Sequence, residues 1–405
     1  MNRRTFISSV FGSLMAVEME GISYASSLLP GATEKKEWKF LPGSKVPTKR
    51  LGKTDIDTPI LIMGCCQELD PVYDKKLHRC YELGVNHLDT AQMYAEGNSH
   101  KTIAPFIKQI GDRKKLIIAS KVHLSEDEAT PEKFIKNLES SLEDLETDYL
   151  DIFYMHIVKH PRLLEKEFIE MGDKLKKTGK IRYFGFSVHH GVAPELMLKA
   201  CELGGGIDVI MFKYSFREFG YDKLNRAIDA CKRAGIGLIA MKTLGSIPDE
   251  AEEIVPWTSK NFTKIQAKLK AVWGDERIDG IASQMTNIQQ VHENAWAAIS
   301  KEKLSKDEME KLIQIAKVTD HLYCRGCSYI CEGKLKKKLY VEDVWRCLLY
   351  AKNYKDISWA NYCYKGIKDY VRKLSPRDIE LAGKLCPHNL DLVKIYNEVE
   401  KIIGS

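Results

Sequence analysis

Four residues able to handle a proton stand at the ends of short apolar runs. Asp89 follows Val85–Leu88, and Tyr94 comes five residues later, within the stretch YELGVNHLDTAQMYAEGNSH. Ile117-Ile118-Ala119-Ser120 delivers Lys121, and Leu150-Asp151-Ile152-Phe153-Tyr154-Met155 delivers His156. If the runs are strands, an acid, a tyrosine, a lysine and a histidine meet at their carboxyl ends, where the polar groups of a β/α barrel form active sites. The chemistry this set supports is acid–base work by a tyrosine whose pKa a nearby cation tunes. Singly, each has a plainer explanation: a turn or cap aspartate, a surface tyrosine, a solvated lysine, a structural histidine. Recurrence at three successive strand ends sets them apart.

The elements that must position these residues begin at Asp57. Strands are expected at Thr58–Met63, Val85–Leu88, Leu116–Ser120, Tyr149–Met155, Ile181–Phe186, Ile207–Phe212, Ile236–Met241 and Ile278–Ser283. Helices are expected at Pro71–Leu83, Ser99–Gln109, Pro131–Leu145, Leu163–Lys177, Ala193–Leu203, Tyr221–Ala234, Lys260–Trp273 and Ile288–Ile299. Phe134, Leu138, Leu142 and Leu145 recur at helical spacing, and Gly179 and Gly235 follow helices as stops. Strands alternating with helices imply a parallel sheet, and eight repeats imply an α/β chain closed into a (β/α)8 TIM barrel. The alternative is an open doubly wound sheet. It lacks support, because Met63-Gly64-Cys65-Cys66 is not a glycine-rich dinucleotide fingerprint. The organisation read from the chain is a signal-like segment and linker over 1–49, a barrel over 50–300, and a mainly helical region over 301–405.

The 405 residues are 44% hydrophobic and 29% charged, as in an ordinary globular protein. With 62 basic against 56 acidic residues the formal charge is +6. The run Lys334-Leu335-Lys336-Lys337-Lys338 reads as a solvated face, and no aromatic interleaving points to nucleic acid. No run of eighteen apolar residues is present to span a membrane. Arg3-Arg4 ahead of a moderately apolar stretch resembles a twin-arginine export signal, with Ser23-Tyr24-Ala25 as a cleavage site, although Glu18 and Glu20 interrupt the stretch. The expectation is a periplasmic or exported protein if that signal operates, and a cytoplasmic one otherwise.

The segments LDTAQMY, IASKVHL and YMHIV resemble the catalytic segments of the aldo-keto reductases, and the likeness covers about residues 50–300. That family is a β/α barrel that moves hydride between a nicotinamide dinucleotide and a carbonyl or alcohol. The resemblance implies that Tyr94 donates the proton to the carbonyl oxygen. Lys121, paired with Asp89, would lower its pKa, and His156 would orient the carbonyl. It further places Gly64 and Cys65 near the nicotinamide and Ser187 on its carboxamide. Met241, Lys242, Thr243 and Leu244 would lie over the pyrophosphate, with Met285, Thr286, Gln290, Glu293 and Asn294 at the adenosine end. Gln290 stands where many members place an arginine on the ribose phosphate, so the cofactor is NADP or NAD. Val188 departs from the usual asparagine after the serine.

Beyond Ile299 the alternation stops. A helix is expected over Leu304–Asp320, followed by Cys324, Cys327 and Cys331, with Cys386-Pro387 far downstream. Three cysteines this close suit a metal better than disulfides, and zinc would prefer a second close pair. Cluster ligands, a zinc site and reduced thiols stay open on the residues alone. The pattern resembles a ferredoxin-type insertion, found in an aldo-keto reductase subfamily, in which Cys324, Cys327, Cys331 and Cys386 would hold one 4Fe-4S cluster.

Two functions are therefore expected to compete. One is an oxidoreductase on a small carbonyl or alcohol, with a cluster for structure or for electron transfer to a partner protein. The other is a non-catalytic redox-sensing or electron-transfer barrel. His123, His189 and His190 are expected to line the pocket, and Cys65 and Cys66 to sit at its mouth. The loop Gly245–Trp257 is either a lid or a solvated connection.

Overall fold

The structure is a computed structural model that describes residues 38–189, 191–247 and 253–404. The twin-arginine segment, His190 and the acidic part of the 245–257 loop lie outside the described residues. Lys39–Ser405 form one compact unit.

The first expected strand is two elements. A hairpin of β1 (Thr48–Arg50) and β2 (Asp57–Pro59) precedes β3 (Leu61–Gly64). Pro59 has no N–H for a central ladder, which suits it to the end of an edge strand. Ile60 then turns the chain into the barrel, its carbonyl accepting from the N–H of Ile281 at 2.8 Å.

The barrel strands after β3 are β4 (His87–Asp89), β5 (Ile117–Val122), β6 (Leu150–Met155), β7 (Ile181–Val188), β8 (Val209–Lys213), β9 (Gly237–Met241) and β10 (Gly280–Gln284). With β3 they pair in parallel and close, β10 against both β3 and β9. Ile62, Ala119, Ile152, Val209, Met211 and Ile239 fill the interior, and Leu51 and Ile56 of the hairpin pack into the same cluster. Gly52 permits this: a Cβ there would stand 2.3 Å from the backbone nitrogen of Gly237. The hairpin therefore plugs the end of the barrel where the strands begin, leaving the opposite mouth for chemistry.

The surrounding helices are α1 (Lys75–Glu82), α2 (Ser99–Ile110), α3 (Pro131–Leu145), α4 (Lys166–Lys177), α5 (Ala193–Glu202), α6 (Asp222–Arg233), α7 (Lys264–Trp273) and α8 (Ile288–Ile299). Two start later than expected because a cap residue decides. The Asp74 carboxylate accepts from the N–H groups of Lys76 and Leu77, which leaves Pro71–Tyr73 as a turn. Thr263 and Gln266 form a reciprocal capping box that begins α7.

After α8 the described residues contain no further strand. Helices α9 (Lys306–Val318), α10 (Ser328–Cys331), α11 (Val341–Lys352), α12 (Ile357–Lys365), α13 (Lys368–Val371), α14 (Pro376–Leu385) and α15 (Leu392–Ile403) follow. Val341, Val344, Trp345 and Leu348 of α11 recur at helical spacing and pack with Leu392, Tyr396, Val399 and Ile403 of α15 in a second core. This helical layer docks onto the barrel mouth. The N–H of Gly191 donates to the carbonyl of Gly326 at 2.9 Å, Lys213 Nζ donates to the carbonyl of Cys324 at 3.0 Å, and Lys159 pairs with Asp343 at 3.2 Å.

Candidate active site

Asp89 ends β4, Lys121 is the penultimate residue of β5, and His156 follows β6 directly. The β4–β5 ladder continues past the strand end. Thr90 donates its N–H to the carbonyl of Ala119 at 2.9 Å, and Gln92 donates to that of Lys121 at 3.0 Å. These bonds draw the chain across Lys121, whose Nζ donates to Asp89 Oδ2 at 2.8 Å and to the carbonyl of Thr90 at 2.7 Å. Lys121 is 1% exposed and Asp89 4%, so this is a buried ion pair.

Tyr94 opens a 3-10 turn in which Ala95 and Glu96 adopt left-handed φ angles of 51° and 53°. Such angles cost non-glycine residues on the order of 1–3 kcal/mol each and persist where the surroundings enforce them. The turn brings the tyrosine ring back over the strand ends. Lys121 Nζ lies 4.8 Å from its centroid, and the ring of His156 lies at 5.6 Å and 80°. The N–H of His156 bonds the carbonyl of Val122 at 2.8 Å, extending β6 alongside β5. All four expected residues converge.

Their electrostatics differ from expectation in one respect. Burial, then the charge of Asp89, pushes the Tyr94 hydroxyl well above the ordinary tyrosine range. The expected lowering by Lys121 is not found, because its ammonium is hydrogen-bonded to Asp89 and Thr90. Burial also pushes the Asp89 carboxyl up, with Lys121 acting against it. Burial, and then Lys121, holds His156 well below the ordinary histidine range, so its ring is neutral. His156 Nδ1 is buried without a hydrogen-bond partner. The site thus presents a protonated phenol and an uncharged imidazole, a pair suited to an oxygen that gains negative charge.

Asp89, Tyr94 and His156 line a cavity of about 600 Å³, within the range of small-molecule sites, and Lys121 is buried behind them. Gly64, Met241, Lys242, Thr243 and Leu244 line it, as do Thr286, Gln290, Glu293 and Asn294 around the start of α8. Three expected cofactor residues do not. Cys65 is buried with its thiol toward the carbonyl of Met63 at 3.6 Å, and the next residue, Cys66, lines the cavity instead. Ser187 is buried, its Oγ accepting from the N–H of Ile157 at 3.0 Å. Met285 is buried in the outer core. The amide of Gln290 accepts from Thr286 N–H at 2.7 Å, and Glu293 accepts from Thr263 Oγ1 at 2.6 Å. His189 lines the cavity, and His123 lies beside His156 at 6.2 Å between centroids.

Sequence reasoning missed a whole wall. Arg346, Cys347 and Tyr350 of α11 and Trp359 of α12 face the cavity, and Trp359 meets the Tyr94 ring edge-on at 6.1 Å. Asp343, Arg346, Cys347 and Tyr350 recur at helical spacing, which was the available signal for a second functional face on α11.

Cys324, Cys331 and Cys386 are buried in the second core, and Cys327 is partly buried. Folding brings Cys386 close enough to act electrostatically on Cys331, which Cys327 also influences. Burial pushes the Cys331 thiol up to about 12. Among the described residues, no three His, Cys, Asp or Glu side chains are grouped to hold a metal ion.

Residues 70–252 match the sequence profile of the Aldo/keto reductase family. The uncharacterized oxidoreductase YqkF of Bacillus subtilis is 24% identical over 303 residues, which cover 65% of this chain and 94% of that protein. The holo form of an aldo-keto reductase from Bacillus halodurans superposes with a TM-score of 0.56 at 21% identity, over 67% of this chain and 96% of that one. An aldo-keto reductase from Klebsiella pneumoniae in complex with NADPH gives 0.51 at 21% identity, over 67% and 95%. The shared fold is the closed barrel with its flanking helices.

Proposed function

We propose that the chain is an aldo/keto reductase that reduces a small carbonyl compound, or oxidises the corresponding alcohol, with a nicotinamide dinucleotide in the cavity. The observation that carries this is the convergence of Tyr94, His156, Lys121 and Asp89 at the floor of that cavity. Residues at the ends of β3 and β9 and around the start of α8 open onto the same space, so the lining suits a dinucleotide. The bound nicotinamide supplies the hydride. Tyr94 gives its proton to the carbonyl oxygen, and His156 fixes that oxygen. The buried Lys121–Asp89 pair holds the strand ends in register beneath them.

Because Tyr94 keeps its proton above, and His156 stays neutral below, their ordinary ranges, kcat/KM for carbonyl reduction is expected to stay flat from about pH 6.5 to about pH 10. A pH profile at saturating nucleotide checks this; a limb near pH 7 would mean that a tuned tyrosine operates after all.

The finer reading adds a 4Fe-4S cluster on Cys324, Cys327, Cys331 and Cys386. It is supported by the closeness of Cys386 to Cys331 across 54 intervening positions of sequence. The chemistry of four thiols suits iron–sulfur ligation better than a hard cation. The Arg3-Arg4 segment supports export of the folded chain. Gln290 and Glu293 offer no cation for a ribose phosphate, which favours NADH over NADPH.

The test is the absorbance spectrum of anaerobically purified protein, with iron and sulfide analysis, before and after NADH and then NADPH. A broad band near about 400 nm that bleaches faster with NADH is expected. A colourless protein that still binds nucleotide would leave a reductase without a cluster, and one that binds no nucleotide would remove the enzyme reading.

A further inference from the structure

The cavity wall opposite the strand ends comes from α11 and α12, and its one arginine is Arg346. The guanidinium is largely buried, with its side chain 14% exposed. One edge is engaged: Nη2 donates to Asp343 Oδ1. The other makes no hydrogen bond: Nη1 is buried and only ion-paired, with Glu342 Oε1 at 3.8 Å. Leaving a buried charged donor unmade is costly, and a guanidinium presents its donors as a planar fork matched to a carboxylate.

The carboxylates around the cavity already have partners. Asp89 has Lys121, Asp343 has Lys159 and Arg346, and Asp356 caps α12 through the N–H of Trp359. Lys242, another cation of the lining, sits over the rings of Tyr350 and Tyr354 on the segment assigned to the dinucleotide. Arg346 lies near the imidazoles of the site: its charge, with that of Lys242, contributes to keeping His156 neutral, and it acts on His123 as well. Trp359 forms an apolar wall beside Tyr94. The space therefore offers two proton donors for a carbonyl, an aromatic wall, and the part of the Arg346 guanidinium that lines it.

We propose that Arg346 determines specificity by binding a carboxylate of the substrate, so that the chain acts on oxo acids, or hydroxy acids in the reverse direction, with a few carbons between the two groups. This rests on the reductase reading above. In that reaction the oxo carbon gains a hydride from the nicotinamide and its oxygen gains the Tyr94 proton, while the carboxylate is unchanged.

The experiment compares 2-oxo, 3-oxo and 4-oxo acids, each with its uncharged amide, on the wild type, Arg346→Gln and Arg346→Lys. For at least one acid, the Arg346→Gln change is expected to lower kcat/KM about 100-fold through KM. The matching amide should change less than about twofold, and Arg346→Lys, which keeps a cation for Asp343, should recover part of the loss. The KM for nucleotide should not move. Equal losses for acid and amide would overturn the proposal, as would a raised nucleotide KM, which would place Arg346 on a cofactor phosphate. If the wild type reduces neither acid nor amide, the reductase reading fails on its own. Calorimetric binding of the corresponding hydroxy acids to wild type and Arg346→Gln then decides the carboxylate site separately: binding that the variant loses upholds it, and binding that is equal or absent in both overturns it.

Discussion

Tyr94→Phe is expected to lower kcat for carbonyl reduction about 10²- to 10⁴-fold, the usual contribution of a positioned acid, while nucleotide affinity stays within about twofold. The reason is local. The Tyr94 ring packs edge-on against His156 and Trp359, contacts that a phenyl ring keeps. Only the proton is lost. Unchanged thermal unfolding together with the rate loss would identify Tyr94 as the acid. A variant that keeps its rate would transfer the role to His156 or to water. One that unfolds would show that the hydroxyl supports the strained turn at Ala95 and Glu96.

Removing one member of the buried ion pair is the second large effect. Lys121→Met leaves the buried Asp89 carboxyl without its counter-charge in a site where its Oδ1 already lacks a partner, and breaking such a pair typically costs about 3–5 kcal/mol. The double variant Asp89→Leu with Lys121→Met removes both charges and is expected to recover most of that stability in a urea titration. Neither variant is expected to regain activity, since the chain over Lys121 loses the Nζ bond to the Thr90 carbonyl that sets the Tyr94 turn. Full activity in the double variant would make the pair a structural element only.

Much of the barrel was legible because its signals are local. Apolar runs of strand length, Pro131 at the start of α3 and Gly179 after α4 are read within a few residues, and alternation alone implies closure. The four residues of the candidate site were legible for the same reason, since strand ends in a parallel barrel all point to one mouth. Boundaries at Pro59 and Asp74 were missed because a ladder register and a capping carboxylate outweigh apolar pattern. By itself, the sequence determined which residue types stand at the strand ends and that eight units repeat. The tertiary structure alone decided that burial holds the Tyr94 hydroxyl above its ordinary range despite Lys121 nearby, and that Ser187 and Cys65 do not line the cavity. It also decided that a helix more than two hundred residues from Tyr94 brings Arg346 to the same space. Side-chain burial, charge pairing and the docking of one layer on another depend on contacts between distant residues, which no local pattern encodes.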